Sequence, residues 1–358
     1  MTQPGLPKWT IIAPIAAWIS FALLQFNLGD AYKIILVFTL ISSVLAAVHH
    51  AEVVAHYVGE PFGTLILALA ITVIEVALIV SLMLSGGEET LSLARDTVLA
   101  AVMIILTGII GLCICAGAAR FKEQRFTLQG TGSALIALNA ILVLTLILPN
   151  YTTSEQGPVY SSGQLIFVSV ISLVIYGTFV FVQSVRHRDY FLPQDAENEE
   201  SHAPQPSGKT ALSSLVLLVF CLAIVVLLAK KLSPDIEGIV LRIGAPESLV
   251  GVIIALVVLL PEGMAAFKAA RKNRLQTSLN LALGSALASI GLTIPAVAVV
   301  SVITGLKITL GIDSKALVLL ILSQFTVMWA LATGKTNILQ GVVLMVIFFA
   351  YLFTIIAP

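Results

Sequence analysis

Apolar residues run through this chain in long blocks, broken at intervals by short polar clusters. A helix needs about 20 apolar residues to cross about 30 Å of hydrocarbon. On that measure the pattern predicts eleven spans, at about 9–28, 32–51, 62–84, 96–119, 130–148, 163–184, 210–229, 246–268, 275–303, 314–333 and 338–357. The ninth is too long for one straight span, so it is expected to begin outside the hydrocarbon and to kink at Pro295. No small-residue cleavage site follows the first run, which points away from a removed signal peptide.

Composition agrees with this reading. Of 358 residues, 58% are hydrophobic and 11% charged, against about 25% charged in a soluble domain. One water-facing fold could not hide so much apolar side chain. A soluble enzyme, a disulfide scaffold and a disordered chain are excluded, leaving an all-α polytopic membrane protein in a lipid bilayer. Net charge is zero, and no basic block suits nucleic acid. Cys113, Cys115 and Cys221 lie in apolar runs without CxxC spacing and read as small buried hydrophobes.

Loop charge sets the expected orientation. With the N-terminus in the cytoplasm, the inside loops hold twelve of the Lys and Arg residues and the outside loops seven. The pattern therefore predicts a cytoplasmic N-terminus and an outside C-terminus. The cytoplasmic stretch 185–209 is rich in carboxylates and proline and carries His187 and His202. It reads either as a solvated linker or as a segment that senses cations or pH.

Intramembrane carboxylates are costly, so each is a functional hypothesis by default. Glu75 and Glu262 sit deep in spans. Aligned on each other, offset 187, they also superpose Ala68 on Ala255, Leu69 on Leu256 and Glu60 on Glu247. An offset of 180 pairs Ile110-Gly111-Leu112 with Ile290-Gly291-Leu292. Five spans per half is odd, so the two units enter from opposite sides. The predicted organisation is an extra N-terminal helix (1–31), a first five-helix repeat (32–184), the acidic linker (185–209) and an inverted second repeat (210–358). Inverted repeats are common in secondary transporters, with the site at their interface near mid-membrane.

Several neighbours could complete such a site. Pro261 precedes Glu262, and either frees the carbonyl of Val257 for a cation or simply kinks the helix. Thr72, one turn before Glu75, offers a hydroxyl or bonds back to its own helix. Asn280, Ser285 and Ser289 supply oxygens or serve as packing glue. Asn139 and Gln324 are further polar residues in spans. His49, Glu52 and His56 share one helix face, with His50 beside them and Glu60 close by. With Glu247 in the other half, they read as a vestibule for the arriving proton or cation, as a solvated helix end, or as a zinc site of an intramembrane metalloenzyme lacking HExxH.

These residues resemble the bacterial calcium/proton antiporters, from the proton-coupled branch of the cation/calcium exchanger superfamily. The resemblance runs from about residue 32 to the end. It is carried by Gly59-Glu60-Pro61-Phe62-Gly63 leading to Glu75, by Glu262, Lys272-Asn273 and Leu283-Gly284-Ser285 ending at Pro295, and by Gly334-Lys335-Thr336-Asn337. It implies an antiporter rather than an enzyme, in the inner membrane of a bacterium, with no resident cofactor. Transported calcium and protons would share Glu75 and Glu262, with Ser285 beside them. The chain departs from the family's Gly-Asn-Ala-x-Glu pattern: no Asn stands in Ile71-Thr72-Val73-Ile74-Glu75 or in Val258-Leu259-Leu260-Pro261-Glu262, and the family's Gln after Gly-Ser falls on Ala288. That departure opens the site to sodium or potassium as well. A monovalent cation/proton antiporter and a cation channel remain the alternatives, the latter needing a continuous pore.

Overall fold

The computed structural model describes residues 6–26, 29, 31–59, 91–192, 206–242 and 248–357, with 70, 72, 73, 75–77, 79, 80 and 83 between α2 and α3. The continuously described segments form α1 (Lys8–Leu23), α2 (Ala31–Val58), α3 (Leu93–Phe121), α4 (Leu128–Tyr151), α5 (Ser162–Arg186), α6 (Gly208–Arg242), α7 (Ser248–Arg271), α8 (Leu275–Thr304), α9 (Ser314–Leu331) and α10 (Ile338–Ile356). Among the described residues, eight helices are long and apolar enough to span a membrane, or nine with the bent α7 counted as one. Of the other two predicted spans, α1 has 16 residues and the segment of Glu75 is described only in part. The fold is all-helical and polytopic.

Sequence explains three of the helix starts. Ser161 and Gln164 form a capping box at the start of α5, Asn337 and Gln340 another at α10, and Asp313 accepts from the Ala316 amide at 2.6 Å to open α9. Widened turns interrupt α3 at Ile104–Ile109 and α4 at Val143–Ile147.

The two prolines act differently: the kink expected at Pro295 is absent, while the kink that is one reading of Pro261 is present. α8 is one uninterrupted helix with Pro295 inside it, and its first turn (Leu275, Gln276, Ser278) is already buried in protein. Its 30 residues exceed the hydrocarbon thickness; the first turn is covered by protein, whereas Val302 and Ile303 near the other end are exposed. The sharp bend falls in α7, 54° between Leu249–Leu260 and Glu262–Arg271. A proline without an N–H breaks one rung of the ladder; whether the helix then bends depends on what is packed around it.

Two of the apolar clusters among the described residues show how the helices gather. The larger draws on α3, α4, α5, α7, α8, α9 and α10, with Ile105, Leu106, Leu138, Leu287 and Ile294 fully enclosed. The smaller joins α1, α2 and α6 through Ala17, Leu36, Ile224, Leu228 and Leu232. Lys33 of α2 and Asp235 of α6 are paired at 2.6 Å at one end of this group. Short backbone ribbons stitch loops of the larger core. Gln124–Arg125 (β1) pairs antiparallel with Lys335–Thr336 (β2), and Val159 pairs with Thr309 in the loop between α8 and α9. Leu310 and Gly311 amides both donate to the Pro158 carbonyl, and Asn150 Nδ2 to that of Ile312 at 2.7 Å.

Of the linker 185–209, residues 185–192 and 206–209 are described. Its carboxylates at 195, 197, 199 and 200, and His202, lie outside the described residues, as do Glu60 and Glu247.

Candidate functional site

α8 passes through the middle of the larger core, and its sequence suits that place. Small residues (Ala282, Ala286, Ala288, Gly291) let neighbouring helices close in, and 19 of its residues are buried. On one side it offers Ser285 and Ser289, one turn apart. The Ser285 hydroxyl donates to Glu262 Oε2 on α7, just past the bend. The Ser289 hydroxyl lies 2.6 and 2.7 Å from the two carboxylate oxygens of Glu75. Glu75 is 4% exposed. Two acidic groups from segments far apart in sequence thus meet on one helix.

The other predicted residues fall unevenly around this pair. Thr72 is buried one turn before Glu75. Val257 precedes the bend in α7, within an unbroken run of helix. Asn280 belongs elsewhere: its Nδ2 donates to the Phe191 carbonyl at 2.5 Å and its Oδ1 accepts from Gln276 at 2.8 Å, so it fastens the end of the α5 segment to α8. At 100° per residue it lies about 180° around the helix from Ser289. Asn139 donates to Met328 Sδ at 3.2 Å across α4 and α9.

Among the described residues, no three His, Cys, Asp or Glu side chains are placed to hold a metal. His50 is fully buried, its Nε2 3.1 Å from the Thr10 carbonyl of α1, so it serves a helix–helix contact rather than a vestibule. His49 packs its ring against Trp9. Glu52 and His56 are exposed, with Lys268 acting on Glu52.

Sequence reasoning missed two buried threonines, Thr97 on α3 and Thr293 on α8, whose hydroxyls have no partner. The signal was present for one of them: Thr293 continues the four-residue spacing of Ser285 and Ser289.

Apolar spans enclosing carboxylates and hydroxyls in their interior define a multi-pass membrane transporter of secondary type. The family model described as sodium/calcium exchanger protein matches residues 31–185 and 213–357. The chain belongs to this family, on its proton-coupled branch, a family of cation antiporters. The protein y4hA of Sinorhizobium fredii is 44% identical over 351 residues, covering 97% of this chain and 95% of its own length. The sodium-potassium/proton antiporter ChaA of Escherichia coli is 32% identical over 330 residues, covering 91% of this chain and 89% of its own. Among solved structures, that of an H+/Ca2+ exchanger, CAX, superposes with a TM-score of 0.73 at 16% identity, over 96% of this chain and 87% of the other; at that identity the likeness speaks for the fold.

Proposed function

We propose that the protein carries cytoplasmic calcium, and sodium or potassium, outward across the cell membrane in exchange for external protons, with Glu75 and Glu262 as a site that cation and proton occupy in turn. One observation carries the reading: two intramembrane carboxylates are each held by a serine of the same helix. Emptied of cation, two neighbouring carboxylates in a low-dielectric interior cannot both stay charged. Proton and cation then exclude each other, and that exclusion is the coupling. Ser285, Ser289, Thr72 and water supply further oxygens. The site alternates between the two faces by movement of one helical group against the other, and no resident cofactor takes part.

A monovalent cation/proton exchanger is the second reading, and the donor set favours giving it weight. Calcium wants six to eight oxygens. The interior offers two carboxylates with one serine each, and the 32% identical relative bears a sodium-potassium/proton name. Reconstitution in vesicles with an imposed pH gradient tests both. Uphill flux of calcium, sodium or potassium driven by protons is expected, lost in both Glu75→Gln and Glu262→Gln. Proton-driven flux that survives in either variant rejects the shared site; flux that only ever runs downhill makes the protein a channel.

A further inference from the structure

Hydroxyls buried in membrane helices ordinarily bond back to the carbonyl one turn earlier. Thr107, Thr145, Ser169, Ser172 and Ser323 all do so here. Thr293 and Thr97 are fully buried and, like Ser43, Thr131 and Ser214, depart from the rule, for their hydroxyls have no hydrogen-bond partner; what sets the two threonines apart is where they stand. An unpaired hydroxyl in apolar packing is unfavourable, and valine of the same shape would be the more stable choice.

Their placement gives the unpaired atoms a use. Thr293 stands one turn, about 6 Å, beyond Ser289 on α8 and about 40° further round. It therefore shares the face that meets Glu75. Gly291 marks the opposite face, where an added Cβ would stand 2.9 Å from Tyr176 of α5. Thr97 of α3 faces α7, the helix of Glu262: a Cβ on Gly251 would lie 3.3 Å from its Oγ1. α3, α7 and α8 pack on one another. Next to Thr97 comes Asp96, paired with Arg95 at 2.7 Å and accepting from Ser92 at 3.1 Å. α3 begins and α8 ends on the same side of the molecule, since the Thr309 amide donates to the Leu91 carbonyl and Arg95 to that of Gly311.

We propose that Thr293 and Thr97 are relay positions on the cation route between the glutamate pair and this side of the molecule, with Asp96 at its mouth. Each lends hydroxyl lone pairs to a partly dehydrated alkali or alkaline-earth cation, or to the water that accompanies it. The passing ion supplies the partner that each hydroxyl lacks at rest. This inference rests on the glutamate site proposed above.

The test is proton-driven flux of calcium and of sodium in vesicles, measured beside equilibrium cation binding and melting temperature in detergent. Thr293→Val is expected to slow exchange about tenfold while binding stays within about twofold, because a relay acts on passage rather than on the resting site. It should melt no lower than the parent, and Thr293→Ser should restore the rate. Thr97→Val should slow exchange in the same sense. Parental flux in Thr293→Val, or in Thr293→Ala should the valine variant not fold, overturns the relay, as does a Thr293→Ser variant as slow as valine. Glu262→Gln separates the two levels: retained exchange there rejects the glutamate site, whereas lost exchange there with parental flux in Thr293→Val rejects the relay alone.

Discussion

The hydroxyl of Ser289 stands almost equidistant, at 2.6 and 2.7 Å, from the two carboxylate oxygens of Glu75. A single proton shared between two acceptors engages both oxygens instead of fixing one. A bond from a neutral donor to a charged acceptor contributes about 1.5–3 kcal/mol. Ser289→Ala is therefore expected to weaken cation binding by roughly tenfold or more and to shift the proton/cation competition. Cation titrations at several pH values check this. Ser285→Ala should act the same way on Glu262, and the double variant should fall short of the sum, since both serines serve one coupled site.

Where α3 crosses α10, the backbones touch. A Cβ on Gly341 would stand 2.7 Å from Cys115 Sγ and 2.8 Å from its amide nitrogen; one on Gly111 would stand 3.0 Å from Leu344 Cβ. Overpacking of this kind costs about 1–3 kcal/mol, more where backbone must yield. Gly341→Leu is expected to lower melting temperature and yield, while Gly284→Ala, where a Cβ meets nothing within 4 Å, leaves both unchanged. Equal stability of the two variants would contradict the close crossing.

Asn280 offers a contrast with the serines on its own helix. Asn280→Ala removes the donor to the Phe191 carbonyl and the acceptor of Gln276. The expected result is a loss of about 1 kcal/mol of stability with cation affinity unchanged. An affinity loss at constant stability would return Asn280 to the ion site.

His50 reaches the Thr10 carbonyl from the middle of a packed interface. His50→Phe is expected to loosen α1, read as faster proteolysis within residues 6–26. Purified protein should hold no stoichiometric zinc, and the triple replacement of His49, Glu52 and His56 by Ala should leave its metal content unaltered.

The helices were legible because lipid imposes one rule on every span: satisfy the backbone internally and present apolar side chains. The acidic pair was legible because a carboxylate in hydrocarbon has few bland explanations. Which polar residue serves which carboxylate was harder, yet partly available. Asn280 and Ser289 looked alike as oxygen donors, but a wheel at 100° per residue puts them on opposite faces of α8. What no wheel supplies is the identity of the helix on each face. The bend shows the same limit. Pro261 and Pro295 carry equal intrinsic power to break a helix, and the surrounding packing decides that α7 yields and α8 does not.

The two small ribbons bear on how the protein is made. Gln124–Arg125 and Val159 precede the linker in the chain, and their partners at 335–336 and 309 follow it. While the ribosome is still delivering the second half, those backbone amides and carbonyls have no mates, and buried backbone groups are seldom left so. The first half therefore waits in the bilayer with its loops unfinished. Completion of β1 with β2 comes only after α9 has entered, which makes the ribbon a late marker of successful assembly and the unpaired loop a natural handle for quality-control proteases.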